Sequence, residues 1–481
     1  MENAMGVLTN LEPAKVFQFF EEICSIPHGS GNVEQISDYL AHFAADRGLF
    51  CIQDDLKNIV IVKEATPGYE GEPPVILQGH MDMVAVKKPD CDIDMTKEGL
   101  RLAVDGDKVY AEGTSLGGDD GIAVAYSLAL LDSDTIKHPK LEVIITVDEE
   151  VGMDGATGID LSMITGNRMI NLDSEEEGIF LTSCAGGARV KCNITVPAKE
   201  MVGTKYTVKV GGLLGGHSGC EIQKERGNSN CILARILFEA GAGVLSINGG
   251  LADNAIPRET VAELVVPREK ELAFTTAVRE AEKLISAELQ SKDPGFCVKM
   301  ESDDTDKIYQ AGDSREVARF LLSLPNGVQA MSAELPGLVE TSLNLGILKY
   351  DAQSGKCLAE FSVRSSVESA KKALIDRLLA ATELAGGCIE VTGDYPGWKY
   401  RKDSPLRDKM IALYEEMYGT LPKVEAIHAG LECGILGSKI KDLDCVSMGP
   451  DMRDIHTTEE TLSISSTRRV WEYLVTLLER K

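Results

Sequence analysis

The spacing of apolar and polar residues changes several times along the chain, and each change predicts a different kind of element. Residues 11 to 48 carry apolar positions at helical intervals, first in "PAKVFQFFEEICSI" and again in "NVEQISDYLAHFAADRG", where Gly48 ends the second helix. The pattern then shortens into β-branched runs. "NIVIVKEA" and "PPVILQGHMDMV" read as strands, and the Pro/Gly-rich "TPGYEGE" between them reads as a hairpin loop. "GTSLGGDDGIAVAYSLALLDSD" is a glycine-rich loop entering a helix near Asp119 or Asp120. Two further strands, "KLEVIITV" and "NRMINL", are each followed at once by acids, in "DEE" and "DSEEEG". Buried strands alternating with helices predict an α/β sheet covered on both faces, with ligands gathering beyond the carboxyl ends of its strands. His80, Asp82, Glu149, Glu150 and Asp173 all fall at such ends.

Between residues 188 and 396 the order becomes strand, strand, helix. Strand runs such as "KYTVKVGGL" and "SLNLGILKYDAQSGKCLAEFSVRSS" are followed by long helices such as "SAKKALIDRLLAATELAGG". That order predicts an α+β layer inserted into the first domain. From 397 the α/β texture returns, with a helix in "LRDKMIALYEEMYG", a strand near "LDCVSMG", a polar loop holding His456 and a final amphipathic helix. The expected organisation is therefore an α/β domain formed by 1–187 and 397–481, interrupted by an inserted α+β domain over 188–396.

Composition narrows the partners. With 481 residues and 43% apolar content, the chain can form two or three domains with sizeable cores. Its net charge of −27 argues against nucleic acid and anionic membrane surfaces. The 12 cysteines lack any C-x-x-C pair and read as reduced thiols. Acids occupy the N-terminal stretch where a signal peptide needs positive charge, and no apolar run is long enough to span a bilayer, so the expected compartment is the cytoplasm.

His80-x-Asp82 alone is weak, since such a pair arises readily by chance. Its company is more telling: acidic clusters recur after the predicted strands and at the helix entry, and a second histidine stands in "DMRDIHTTEE". Imidazoles mixed with carboxylates suit zinc or a neighbouring divalent ion. Two ions about 3.5 to 4 Å apart need a bridging carboxylate, and together they polarise a carbonyl and acidify a shared water. A further acid must stay free to move the proton, and the adjacent Glu149 and Glu150 can divide these tasks because successive strand-end residues point in different directions.

The ordered set "GHMDM", "GGDDG", "DEEVGMDGA", "NLDSEE" and "RDIHTTEE" resembles the co-catalytic metallopeptidases that include peptidase V, peptidase T, carnosinase and aminoacylase. Within them, "EICSIPH", "GGHSGCEI", "NAIPRE" and "HAGLECGIL" are similar to the aminoacyl-histidine dipeptidase branch, and the similarity runs essentially end to end. This resemblance implies that the α/β domain is catalytic and the inserted α+β domain is its lid, and that the chain takes two divalent ions, zinc first with manganese or cobalt as alternatives. One would be held by His80 and Asp173 and the other by Glu150 and His456, with Asp119 bridging. It further implies that Asp82 orients His80, that Glu149 is the general base, and that His217 stabilises the oxyanion. Asn254 and Arg364 match positions that bind the substrate's terminal carboxylate, and Glu432 matches a loop where it would meet the substrate's amino group. Gly121 stands where many relatives have lysine, a departure shared with the dipeptidase branch.

The implied activity is hydrolysis of dipeptides, with Xaa-His as the expected class. A tripeptidase, a carboxypeptidase or an amidohydrolase with the same ligands stays open, as does a non-catalytic peptide-binding module and the question of a homodimer. A nucleotide-binding enzyme is disfavoured, because "GTSLGGDDG" puts acids where phosphates need donors.

Overall fold

The central strands of the first sheet, Leu141–Thr146 and Val75–His80, are buried at every position, as strands covered by helices on both faces must be. The computed structural model describes residues 6–481. The chain divides into two compact units. The first takes the residues up to Ser183 together with Tyr400–Ala426 and Glu432–Lys481, and the second takes Cys184–Lys399 with Ile427–Leu431.

The first unit is built on an eight-stranded mixed sheet in the order Phe50–Gln53, Ile59–Lys63, Leu141–Thr146, Val75–His80, Arg168–Asn171, Asp444–Ser447, Ile179–Cys184, Lys423–Ile427. Val75–His80 runs parallel to both Leu141–Thr146 and Arg168–Asn171, so all three end at the same edge of the sheet. That shared direction delivers His80, the acids after Thr146 and the acid after Asn171 to one place. The strands on either side of "TPGYEGE" do not form a hairpin: Leu141–Thr146 lies between them, antiparallel to Ile59–Lys63. The fully buried and largely apolar Leu141–Thr146 gains more by occupying the sheet interior than a local turn gains by pairing its neighbours. The first hairpin instead pairs Phe50–Gln53 with Ile59–Lys63, and its turn is tied by the Asn58 N–H donating to Asp54 Oδ1 at 2.8 Å.

Helix Gly118–Asp132 is buried from Gly118 to Leu131, wedged between the sheet and helix Ala14–Cys24, which contributes Phe17, Phe20 and Ile23. Close approach explains two glycines. A Cβ on Gly79 would run into the Asp120 carboxylate and the Ala123 methyl, and one on Gly121 would stand 3.3 Å from Phe20 Cε2. A lysine at 121 would therefore need the Phe20 ring to move, which gives a packing reason for the residue found there.

The second unit carries a nine-stranded sheet, antiparallel in every pairing, that includes the hairpin of Val339–Asp351 with Lys356–Ser365. Helices Ser229–Ala240, Glu271–Leu289, Ser314–Ser323 and Glu368–Leu384 join it in one apolar cluster through Leu233, Phe274, Phe320 and Leu378.

Candidate metal centre

His80 closes its strand with the imidazole 1% exposed. Its Nδ1 lies 2.9 Å from the Asp82 carbonyl and 3.4 Å from Asp82 Oδ1, which turns Nε2 outward toward the strand ends. Asp82 has other partners: Oδ2 accepts from Ser30 Oγ at 2.8 Å, and Oδ1 accepts from the Glu149 N–H at 3.1 Å. One buried carboxylate thus sets both the His80 ring and the backbone of Glu149, the orienting arrangement expected behind a metal-bound imidazole.

Asp119 lies at the entry of helix Gly118–Asp132, where its backbone is still non-helical. Its Oδ1 is 3.2 Å from His80 Nε2 and its Oδ2 is 3.1 Å from His456 Nε2. Asp173 Oδ1 stands 3.7 Å from His80 Nε2, and Glu150 Oε1 stands 2.8 Å from His456 Nε2. Three overlapping sets of potential ligand atoms result, each within 4.8 Å: His80 with Asp119 and Asp173, His80 with Glu149 and Glu150, and Asp119 with Glu150 and His456.

The electrostatics of the ion-free chain fit cations. Burial raises Asp173, and Asp120 beside it raises it further. Burial also lifts Glu149 to about 8, with Glu432, Glu150 and Asp119 adding to it against the pull of His80. Hydrogen bonds that the His456 ring donates to the Asp119 and Glu150 carboxylates hold its pKa up at about 10. Carboxylates crowded in a dry pocket have no mutual relief except protons or a metal ion. The donor set, two imidazole nitrogens flanking one shared carboxylate with a further carboxylate on each side, matches borderline divalent ions.

Sequence reasoning overlooked Glu460, the last acid of "RDIHTTEE". Its side chain is 3% exposed and accepts from the N–H groups of Leu116 at 2.8 Å, Gly117 at 3.2 Å and Gly118 at 2.8 Å. It therefore shapes the loop that presents Asp119, four residues after His456. The signal was present as the second acid of a pair, but nothing in the pattern marked it as buried. Glu460→Ala strands these donors in the interior, and the expected cost is about 3 kcal/mol. A lower urea midpoint at unchanged m-value would register it, and an unchanged midpoint would refute it.

Glu432 is also placed in the first unit, and it is wholly buried. Its Oε2 accepts from Gln78 Nε2 and Thr146 Oγ1, both at 2.6 Å, and its Oε1 has no partner. Its side chain is closed off from solvent in this structure.

The second unit contains the other residues singled out. His217 pairs with Ala255 across a two-residue strand, and its Nδ1 accepts from the Gly219 and Cys220 N–H groups at 3.2 Å each. The ring proton is thereby assigned to Nε2. Burial lowers the His217 pKa and Arg364 lowers it further, so the ring is a neutral donor. Asn254 is exposed, and its carbonyl accepts from the Ser218 N–H at 2.8 Å. Arg364 does not face solvent as an ordinary strand arginine would: it is 8% exposed, its Nε has no partner, and it forms no ion pair among the described residues. Ser342 lies opposite it in the ladder, and Ser342 Oγ is 2.7 Å from His428 Nε2.

Residues 76–480 match the family described as Peptidase family M20/M25/M40. Across 99% of both chains the sequence is 36% identical to the cytosol non-specific dipeptidase of Escherichia coli (strain K12). The crystal structure of aminoacylhistidine dipeptidase from Vibrio alginolyticus is similar at a TM-score of 0.91 and 36% identity, covering 98% of this chain and 97% of that one. Aminopeptidase PepT from Bacillus cereus, at a TM-score of 0.56 and 16% identity over 98% of each chain, shares the fold.

Proposed function

The chain belongs to the peptidase family M20/M25/M40 and is a peptide-bond hydrolase, and from that premise we propose that it is a metal-dependent dipeptidase with Xaa-His dipeptides among its substrates. The observation that carries the reading is Asp119, whose two oxygens are divided between the Nε2 atoms of His80 and His456. His80 and Asp173 would hold one ion, Glu150 and His456 the second, and Asp119 both. Two divalent ions there, zinc or else manganese or cobalt, would polarise the scissile carbonyl and make a water acidic enough to ionise near neutrality.

The chain's own groups do the rest. Glu149 lies outside the two ligand sets and takes the proton of the attacking water, then returns it to the leaving amine. Asp82 keeps that base in place through the Glu149 N–H while it holds the His80 ring. The Nε2–H of His217 is the donor for the oxyanion that forms on the carbonyl. Arg364, buried without an acid partner, is the group for the substrate's free carboxylate, which its planar fork can grip at two oxygens. Asn254 is assigned to the same carboxylate by its place in "NAIPRE". The name of the Escherichia coli relative supports a cytoplasmic location.

A hydrolysis panel of Xaa-His dipeptides, other dipeptides, tripeptides and N-acyl amino acids tests this reading on the metal-loaded chain. Dipeptides are expected to exceed the other classes at least tenfold in kcat/KM, and tripeptides or N-acyl amino acids cleaved equally well would exclude it. Arg364→Ala should lower kcat/KM about 100-fold for free-carboxylate dipeptides and much less for their C-terminal amides. Equal losses on both would remove the carboxylate role.

A further inference from the structure

At the other end of the central strands, the first unit has a partly open pocket of about 170 Å³. Val75 lines it and opens the strand that ends at His80, so at the usual rise per residue the cavity lies roughly 17 Å from the metal centre. Val75, Ile170, Leu406, Leu477 and Leu478 give it an apolar wall, each at most 6% exposed.

Two cations stand in that lining. Arg168, at the start of its strand, donates to the Pro73 carbonyl through Nη2, while its Nε is buried with no partner. Lys409 donates from Nζ to the Arg480 carbonyl at 2.6 Å, which leaves two of its three protons free. Neither forms an ion pair among the described residues, although Glu72 also lines the cavity. The third cation there is different: Arg480 is held by Glu416 through two bonds of 2.6 and 2.7 Å. Burial lowers the pKa of Lys409, and the nearby Arg168 lowers it again, against the pull of Glu72. Glu72 acts on both cations and Asp444 on Arg168 only at longer range, so two half-buried cations stand here with no direct ion pair among the described residues, an arrangement that a small anion would complete.

We propose that this cavity is a second binding site, separate from the metal centre, for a small organic anion: a carboxylate that meets Arg168 and Lys409 while its apolar body fills the wall formed by Leu406, Leu477 and Leu478. The size agrees, since a dry apolar cavity of about 150 Å³ takes a benzene-sized body.

Phenylacetate is the probe, titrated by calorimetry into the metal-loaded full-length chain beside phenylacetamide, which lacks the charge, and acetate, which lacks the ring. Phenylacetate is expected to bind at least tenfold more tightly than either. Arg168→Met with Lys409→Met is expected to weaken it at least tenfold while kcat/KM for a dipeptide stays within twofold. Nuclear Overhauser contacts from the ring protons to the Leu477 and Leu478 methyls of the unsubstituted chain locate the ligand whether or not the double variant folds. Undiminished affinity in a folded double variant, no preference for phenylacetate, or ring contacts absent from those methyls would overturn the proposal.

Discussion

Glu149→Gln is expected to lose about a thousandfold of dipeptide turnover while the chain still binds two divalent ions. The amide preserves size and the backbone bond to Asp82 but cannot accept the water's proton. The residues proposed as ligands, His80, Asp119, Glu150, Asp173 and His456, are untouched, so metal content separates loss of the base from loss of the site. KM should change little, because the role assigned to Glu149 is in proton transfer. The pH profile gives a second check. In the ion-free chain Glu149 is held at about 8, mainly by burial. Added cations favour the ionised carboxylate, so the acid limb of kcat/KM must fall below 8, with the rate lost as pH drops through that midpoint. Retained activity in the variant would remove Glu149 from the mechanism.

Asp119→Asn should be as damaging through a different route. Each oxygen of Asp119 faces one imidazole, Oδ1 toward His80 at 3.2 Å and Oδ2 toward His456 at 3.1 Å. An amide offers one neutral oxygen in place of two anionic ones, so it cannot serve both ions. The expected result is a drop from two tightly bound ions to at most one, with turnover falling at least a thousandfold. Excess metal should not rescue it fully. A variant that keeps two ions at the original affinity would show that another group joins the two halves of the site. The two variants are therefore distinguishable: one is loaded and inert, the other under-loaded and inert.

Much of the candidate centre could be read from sequence because of one physical fact. Strands that pair in parallel end at the same sheet edge, so acids that directly follow apolar runs are gathered there. His80, Glu149, Glu150 and Asp173 were legible in that way; the glycines marked the loop that brings in Asp119 or Asp120, and the resemblance chose Asp119 between them. His456 was read from its acidic surroundings and the resemblance. What stayed hidden depends on contacts made far along the chain. Strand order is one case: a local turn signal in "TPGYEGE" suggested a hairpin, yet Leu141–Thr146, some eighty residues from its partner strand in sequence, takes the place between. Burial of charged groups is another. Glu460, Glu432 and Arg364 have the composition of surface residues, and only tertiary structure encloses them, the first two with hydrogen-bond donors and the third with no ion-pair partner.

A two-ion site joined by Asp119 fixes the number of ions each chain can hold, and that number can be counted. Metal-free protein would be titrated with zinc while dipeptide hydrolysis is followed in the same samples. Bound metal is expected to saturate at two ions per chain, with full turnover appearing only as the second is taken up. Full turnover with one ion, or with none, would contradict the two-ion site.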